Sequence, residues 1–231
     1  MLGTIVNSVA IVVGALLGLV IKGRFTQRFQ EIVTQATGMA VIFIGISGAV
    51  TQLMKPECNS VLFVASLVIG GLIGEALNIE DKLKKLGDFL EGLCGANGGV
   101  SKSFVSASLL FCVGSMAILG SIQSGLQHDH TTLFTKSILD GVTSIIFASS
   151  MGFGVLFAAV SVFVYQGAIT MLAGVIEPYI TENLLREMSL VGGILITALG
   201  IDMIGLRKMK VGNLLPAIAV PVIYYGIVHF L

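Results

Sequence analysis

SASLLFCVGSMAILGSIQSGL (residues 106–126), KSILDGVTSIIFASSMGFGV (136–155) and FAAVSVFVYQGAIT (157–170) follow one another in the middle of the chain. Each is an apolar run interrupted by Ser, Thr, Gln or Gly, and the second carries one acid, Asp140. Polar groups left unpaired in hydrocarbon cost several kcal/mol each, so such residues turn toward protein or a wet cavity. The three segments therefore read as membrane helices that line a polar pathway or binding site.

Composition agrees with that reading. The 231 residues are 55% hydrophobic and 11% charged, with a mean hydropathy of +0.98, against roughly 25% charged in ordinary globular domains. An all-α polytopic membrane protein is the expected fold, in one integral domain over residues 1–231. The formal net charge is zero, which removes the basic field that nucleic-acid binding needs. Twenty-nine glycines and four prolines suit closely packed membrane helices. Cys58, Cys94 and Cys112 form no C-x-x-C pair, so neither a disulfide framework, a metal site nor a cofactor is expected. No Lys or Arg precedes the first apolar run, which reaches about 20 residues and reads as a retained span rather than a signal peptide.

Eight spans are expected, at about residues 2–21, 36–53, 61–77, 104–122, 131–150, 153–173, 190–206 and 214–231. Residues 1–78 hold the first three. Residues 79–101 hold a charged piece, IEDKLKKLGDFLEGL (79–93), whose Leu83, Leu86, Phe89 and Leu90 recur at helical spacing, and a Gly-rich linker. That piece reads as an amphipathic helix on the membrane surface. The polar spans four to six occupy 102–175 and the last two 188–231, with Glu177 to Glu187 as a polar connector. Eight crossings put Lys22, Arg24 and Arg28, then Lys82, Lys84, Lys85 and Lys102, then Arg207, Lys208 and Lys210 on the cytoplasmic side. Both termini are then outside.

GMAVIFIGI (38–46) and GILITALGI (193–201) match at a shift of 155 residues. Under the eight-span topology they cross in opposite directions, as in an inverted repeat.

Candidate binding residues follow from helical spacing. Ser108, Cys112 and Ser115 stand at i, i+4 and i+7 of span four, with Gln123 toward its outer end. Ser137, Asp140 and Ser144 share a face of segment five beside Thr143, and Lys136 is one turn from Asp140. Close helix packing accounts for Ser and Gly on such faces. It accounts less well for Gln123, for Gln166 deep in span six, or for Asp140, which either pairs with Lys136 near the surface or binds a cation, proton or polar solute. Asn7 can bond across helices. Gly152 and Gly154, in SSMGFG, mark a broken or re-entrant segment near 149–154, or a simple turn. His128-Asp129-His130 lacks further ligands for a metal. No catalytic residues are visible: nucleotide loop, nucleophile elbow and H-E-x-x-H are all absent.

GTIVN (3–7), SLLFCVGSMAILGSIQSGL (108–126), KSILDGVTS (136–144), FASSMGFGV (147–155) and YQGAIT (165–170) resemble the YqgA/YdfK-like bacterial inner-membrane proteins, domain-of-unknown-function family 554. The resemblance implies a multi-pass protein of the bacterial cytoplasmic membrane and gives weight to the central stretch. It supplies no substrate, although transport is the role usually suggested for the family. Many members carry Gly-Asp after the span-four motif, where this chain has His128-Asp129.

The expected function is a secondary transporter or channel-like carrier for a small polar solute or ion. Its site would be built from Asn7, Ser108, Ser115, Gln123, Asp140, Thr143, Ser144 and Gln166, with a homodimer enclosing it. The rival is a non-transporting scaffold or regulatory subunit whose Gly and Ser faces pack helices. An enzyme is not expected.

Overall fold

A computed structural model of the chain describes residues 1–24, 26–56, 58–94 and 99–230. The helices are α1 (Leu2–Arg24), α2 (Gln27–Leu53), α3 (Ser60–Leu77), α4 (Ile79–Cys94), α5 (Val100–Cys112), α6 (Ser115–Leu126), α7 (Thr131–Met151), α8 (Gly154–Met171), α9 (Ala173–Ile176), α10 (Glu182–Met203), α11 (Val211–Leu214) and α12 (Ala219–Phe230). Among the described residues there is no strand, so the all-α expectation holds.

The helices are inside out by the standards of a soluble protein. On α1, Thr4, Asn7, Gly14 and Gly18 are buried, while Val9, Val13, Leu16, Leu17 and Val20 are exposed. A continuous apolar exterior of this kind belongs in lipid. Six segments are long and apolar enough to cross a membrane: α1, α2, α3, α8, α10 and Val211–Val228. The bent pair α5 and α6 makes a seventh if it is one span. Eight spans were the expectation, and α7 is the difference. It has 21 residues, about 31 Å at 1.5 Å per residue, but its Lys136, Asp140 and many hydroxyls make it less apolar than the others.

The chain folds as two compact units that interleave in sequence. Unit 1 is Met1–Thr37 with Leu83–Glu177, and unit 2 is Gly38–Lys82 with Pro178–Leu231.

In unit 1, α1 and α7 lie side by side and run parallel. Gly3 faces Leu133, Gly14 faces Gly141 and Ser144, Gly18 faces Ile145 and Ala148, and the Lys22 ammonium donates to the Ser150 carbonyl. Any side chain on Gly14 or Gly18 would meet the α7 backbone, so glycine sets how closely the helices approach. α8 runs antiparallel to α1, with Thr4 opposite Thr170 and Asn7 opposite Gln166. The break at SSMGFG is thus a turn between antiparallel helices, made at Gly152 with φ 94°. The bend lies elsewhere. α5 and α6 meet at 61°, because Val113 and Gly114 are extended and the helical ladder stops at the bond from Val113 N–H to the Leu109 carbonyl. Span four is therefore broken where the sequence shows one run. At the next turn His128 has φ 55°, in the left-handed region that favours glycine. Glycine at this position would fit the backbone without strain.

In unit 2, α10 crosses the second half of α2 in the opposite direction. A Cβ on Gly45 would sit 2.5 Å from Thr197 N and 2.6 Å from Gly193 O, and one on Gly200 would sit 2.8 Å from both Ile42 N and Gly38 O. The shift of 155 residues turns the first set of partners into the second. It likewise turns the Gly193–Ala49 approach into Gly38–Ile204. The matched segments thus form a reciprocal pair, as a local two-fold axis requires. α3, capped by Asn59 at its start and by left-handed Asn78 at its end, packs through Gly70 on Ala217 and through Gly74 on Asn213.

One further expectation is corrected. The connector expected over Glu177–Glu187 is already α10 from Glu182 onward, and both Arg186 and Glu187 are buried. Asn183, one turn before Arg186, accepts its guanidinium, and the Glu187 carboxylate accepts the Asn59 N–H at 2.8 Å, so both ends are satisfied enough to sit inside. The amphipathic piece is α4, with Leu86 and Phe89 exposed; Leu90, Leu93 and the break at 95–98 lie outside the described side chains.

Candidate functional site

Unit 1 encloses a polar cluster on three packed helices. The inward face of α7 carries Lys136, Ser137, Asp140 and Ser144. The Lys136 ammonium donates to both carboxylate oxygens of Asp140, at 2.9 and 2.6 Å. From α1, the Asn7 amide donates to Asp140 Oδ2 at 3.0 Å and to Gln166 Oε1 of α8 at 3.3 Å. Lys136 and Asp140 are each 7% exposed, and Asn7 and Gln166 are fully buried. One turn outward along α1 and α8, the hydroxyls of Thr4 and Thr170 lie 3.4 Å apart.

The pair does not snorkel to the surface, since its bonds run inward to α1. Asp140 lies nine residues into the 21-residue α7, about 13.5 Å from its start, close to mid-helix. A buried ion pair survives only where geometry and extra hydrogen bonds offset desolvation, and here Asn7 provides one such bond. The cluster is not fully satisfied. Asn7 Oδ1 and Gln166 Nε2 are buried without a hydrogen-bond partner, in a fold where buried polar atoms are ordinarily paired.

Of the eight candidate residues, the structure brings Asn7, Asp140 and Gln166 together, with Lys136 as a fourth member. Ser144 sits one turn along α7 from Asp140, with its hydroxyl donating to the Asp140 carbonyl at 2.7 Å, against Gly14. Ser108 donates to Ser161 of α8 at 3.1 Å, a packing bond between α5 and α8. Gln123 accepts from Thr132 at 2.7 Å and ties α6 to α7. Thr143 donates to the Leu139 carbonyl of its own helix and stays outside the cluster. Ser115 opens α6, so the face it was expected to share with Ser108 and Cys112 is interrupted by the 61° bend. Cys112 closes α5, within the electrostatic reach of Lys136 and Asp140.

His128, Asp129 and His130 do not assemble as ligands. Asp129 Oδ1 accepts the Thr131 N–H at 2.9 Å and helps begin α7, while His130 Nδ1 shares a hydrogen bond with Ser124 at 2.9 Å. The Thr131 N–H holds the Asp129 carboxyl below its ordinary value. Among the described residues no group of three or more His, Cys, Asp or Glu could hold a metal.

One buried acid was missed by sequence reasoning. Glu187 is fully buried, and its second oxygen has no partner. Burial and the Glu187 carboxylate together push the Cys58 thiol up, against the opposing charge of Arg186. Leu184, Leu190 and Val191 at i−3, i+3 and i+4 of Glu187 were the available signal that this face turns inward.

Comparison with known proteins places the chain. It is 38% identical over 229 residues to the uncharacterized membrane protein YdfK of Bacillus subtilis, covering 99% of this chain and 97% of that protein. It is 29% identical over 224 residues to the uncharacterized protein YqgA of Escherichia coli, covering 94% and 93%. No solved structure matches. The model of the family described as "Protein of unknown function (DUF554)" matches residues 2–226, and the chain, a helical membrane protein, belongs to that family.

Proposed function

We propose that the protein is a small secondary transporter or channel-like carrier of the bacterial inner membrane, for a small polar solute or ion. The observation that carries this reading is the cluster of Lys136, Asp140, Asn7 and Gln166, buried among three helices with two polar atoms unpartnered and with Asp140 near the middle of α7. Ionisable residues held inside a membrane are expensive and are by default functional. Asp140 couples to a proton or cation, while Asn7 and Gln166 receive the solute. No enzymatic group is assigned, and a homodimer completes the enclosure.

Helix directions support eight crossings with both termini outside. Parallel α1 and α7, antiparallel α1 and α8, and antiparallel α2 and α10 each agree with that count. Because α7 runs beside α1 from Gly3 to Lys22, it spans the same depth of bilayer. Lys and Arg then gather on one side, after α1, along α4 and after α10.

The test is flux in reconstituted vesicles, with internal pH followed while gradients of Na⁺, K⁺ and small polar solutes are imposed. Flux that depends on the wild-type protein and is lost in Asp140→Asn supports the carrier. Unchanged flux in Asp140→Asn removes its coupling role. Absence of flux across the panel favours a scaffold, a reading that the close Gly14 and Gly18 approaches also support.

A further inference from the structure

The hydrogen-bond directions within the cluster form a chain of obligations. An ionised carboxylate only accepts, so Asn7 must present its NH₂ to Asp140. The same NH₂ faces Gln166, so Gln166 must present its carbonyl. Its own NH₂ is thereby turned away, and this is the buried donor without a partner. The orientation of Gln166 is set by the charge on a residue it does not touch.

Protonation of Asp140 reverses each obligation. When the proton settles on Oδ2, and the Lys136 ammonium, which donates to both oxygens, keeps only Oδ1, Oδ2 becomes a donor and asks Asn7 to turn its carbonyl toward it. The Asn7 carbonyl then also faces Gln166, which must turn its NH₂ inward and its carbonyl out. Each step is a half-turn of a terminal amide, a broad two-fold torsion that changes no volume. The count of bonds is the same in both states: Asn7 donates twice in one and accepts twice in the other. Each state also leaves one atom of each amide unpaired, so the two amides favour neither state, and the balance is set by the proton and by the Lys136 charge it leaves without a counter-ion.

We propose that Asn7 and Gln166 form an amide relay that converts the protonation state of Asp140 into the hydrogen-bonding character of Gln166. With Asp140 ionised, Gln166 offers a donor and suits solute carbonyls or anions. With Asp140 protonated, it offers an acceptor and suits cations or solute N–H and O–H groups. This deepens the carrier reading and rests on its assignment of Asp140 as the coupling group. The charged and titratable groups that act on Asp140 are Lys136 on its own helix and Cys112 at the end of α5, and Cys112 in turn faces Tyr165 on α8.

The test is infrared difference spectroscopy of the protein in phosphatidylethanolamine–phosphatidylglycerol vesicles, with carbon-13 in the side-chain carbonyls of Asn and Gln, across the pH range in which helix content is constant. A carboxylic acid band that is absent in Asp140→Asn is expected on acidification. One Asn and one Gln band should shift with the same midpoint. Asn7→Leu should leave the acid band titrating but stop the Gln shift, whereas Gln166→Met should leave both the acid and the Asn band titrating. The relay is overturned if the acid titrates while the amides stay still, if the Gln band still shifts in Asn7→Leu, or if no acid band assignable to Asp140 forms. The measurement needs no solute. Coupled amide shifts without flux would therefore remove the carrier and keep the relay, and flux without coupled shifts would do the reverse.

Discussion

The two units solve the same problem, holding helices together in lipid, with different materials. Hydrophobic burial gives little there, because lipid tails are as apolar as leucine, and packing and polar bonds must do the work. Unit 1 joins α1, α7 and α8 through Asn7, Asp140, Lys136 and Gln166. Unit 2 joins α2 and α10 through Gly38, Gly45, Gly193 and Gly200, by close approach to the facing backbone and to Ile42, Thr197 and Ile204. The first is sensitive to charge and the second to volume.

That contrast is open to direct attack, beginning with the ion pair. Lys136→Met leaves Asp140 buried without its counter-charge and should destabilise the protein by about 3–5 kcal/mol in a steric-trapping or denaturation assay. Adding Asp140→Leu should recover most of the loss, since two apolar groups of similar size often replace a buried pair at little cost. Failure of the double variant to recover would mean that unit 1 depends on the charges for its fold and not only for a function.

The seam of unit 2 should answer to volume in symmetric fashion. Gly45→Ala and Gly200→Ala each force backbone apart and should cost about 1–3 kcal/mol. Because the two positions exchange under the shift of 155 residues, their costs should be alike, and clearly unequal values would break the two-fold reading. Ser108→Ala, which removes one bond between α5 and α8, should cost about 1 kcal/mol by the same assay.

Smaller effects sit at the α6–α7 turn. His128→Gly relieves a left-handed backbone and should stabilise by up to about 1 kcal/mol. Asp129 is held below its ordinary value of 3.8 in the fold. Its contribution is therefore present above that value and lost as pH falls below it. Acid titration of helix content should show that dependence weakened in Asp129→Asn.

Much of this was legible in residue order. Helical spacing put Asp140 on one face with Ser137 and Ser144, and Asn7 and Gln166 stood out as polar residues in apolar runs, which have few places to go but inward. The pairing of Lys136 with Asp140 followed from one turn of spacing. The bend between α5 and α6 was not legible: Val113-Gly114 looks like any other point in a glycine-containing apolar run, and extended backbone there leaves no mark. For the same reason Ser115 was set on a face it does not share. The start of α10 was hidden because Glu182, Arg186 and Glu187 resemble a surface connector; Glu182 does stay exposed, but Asn183 and the Asn59 N–H receive Arg186 and Glu187 inside. Grouping into two interleaved units depends on contacts between distant segments, to which local pattern is blind.

The intrahelical placement of Lys136 and Asp140 has a consequence for biosynthesis. A helix that carries its own counter-ion leaves the ribosome with no net charge to expel from the bilayer, so its entry does not wait for α8 to be made. α1 has been synthesised before it and already offers Asn7 and a glycine groove. α7 can therefore partition against that groove and not into bare lipid, which lowers the threshold that its modest apolarity would otherwise fail to reach. Under the proposed eight-span topology, insertion of the polar middle of this protein is in that sense templated by its first helix.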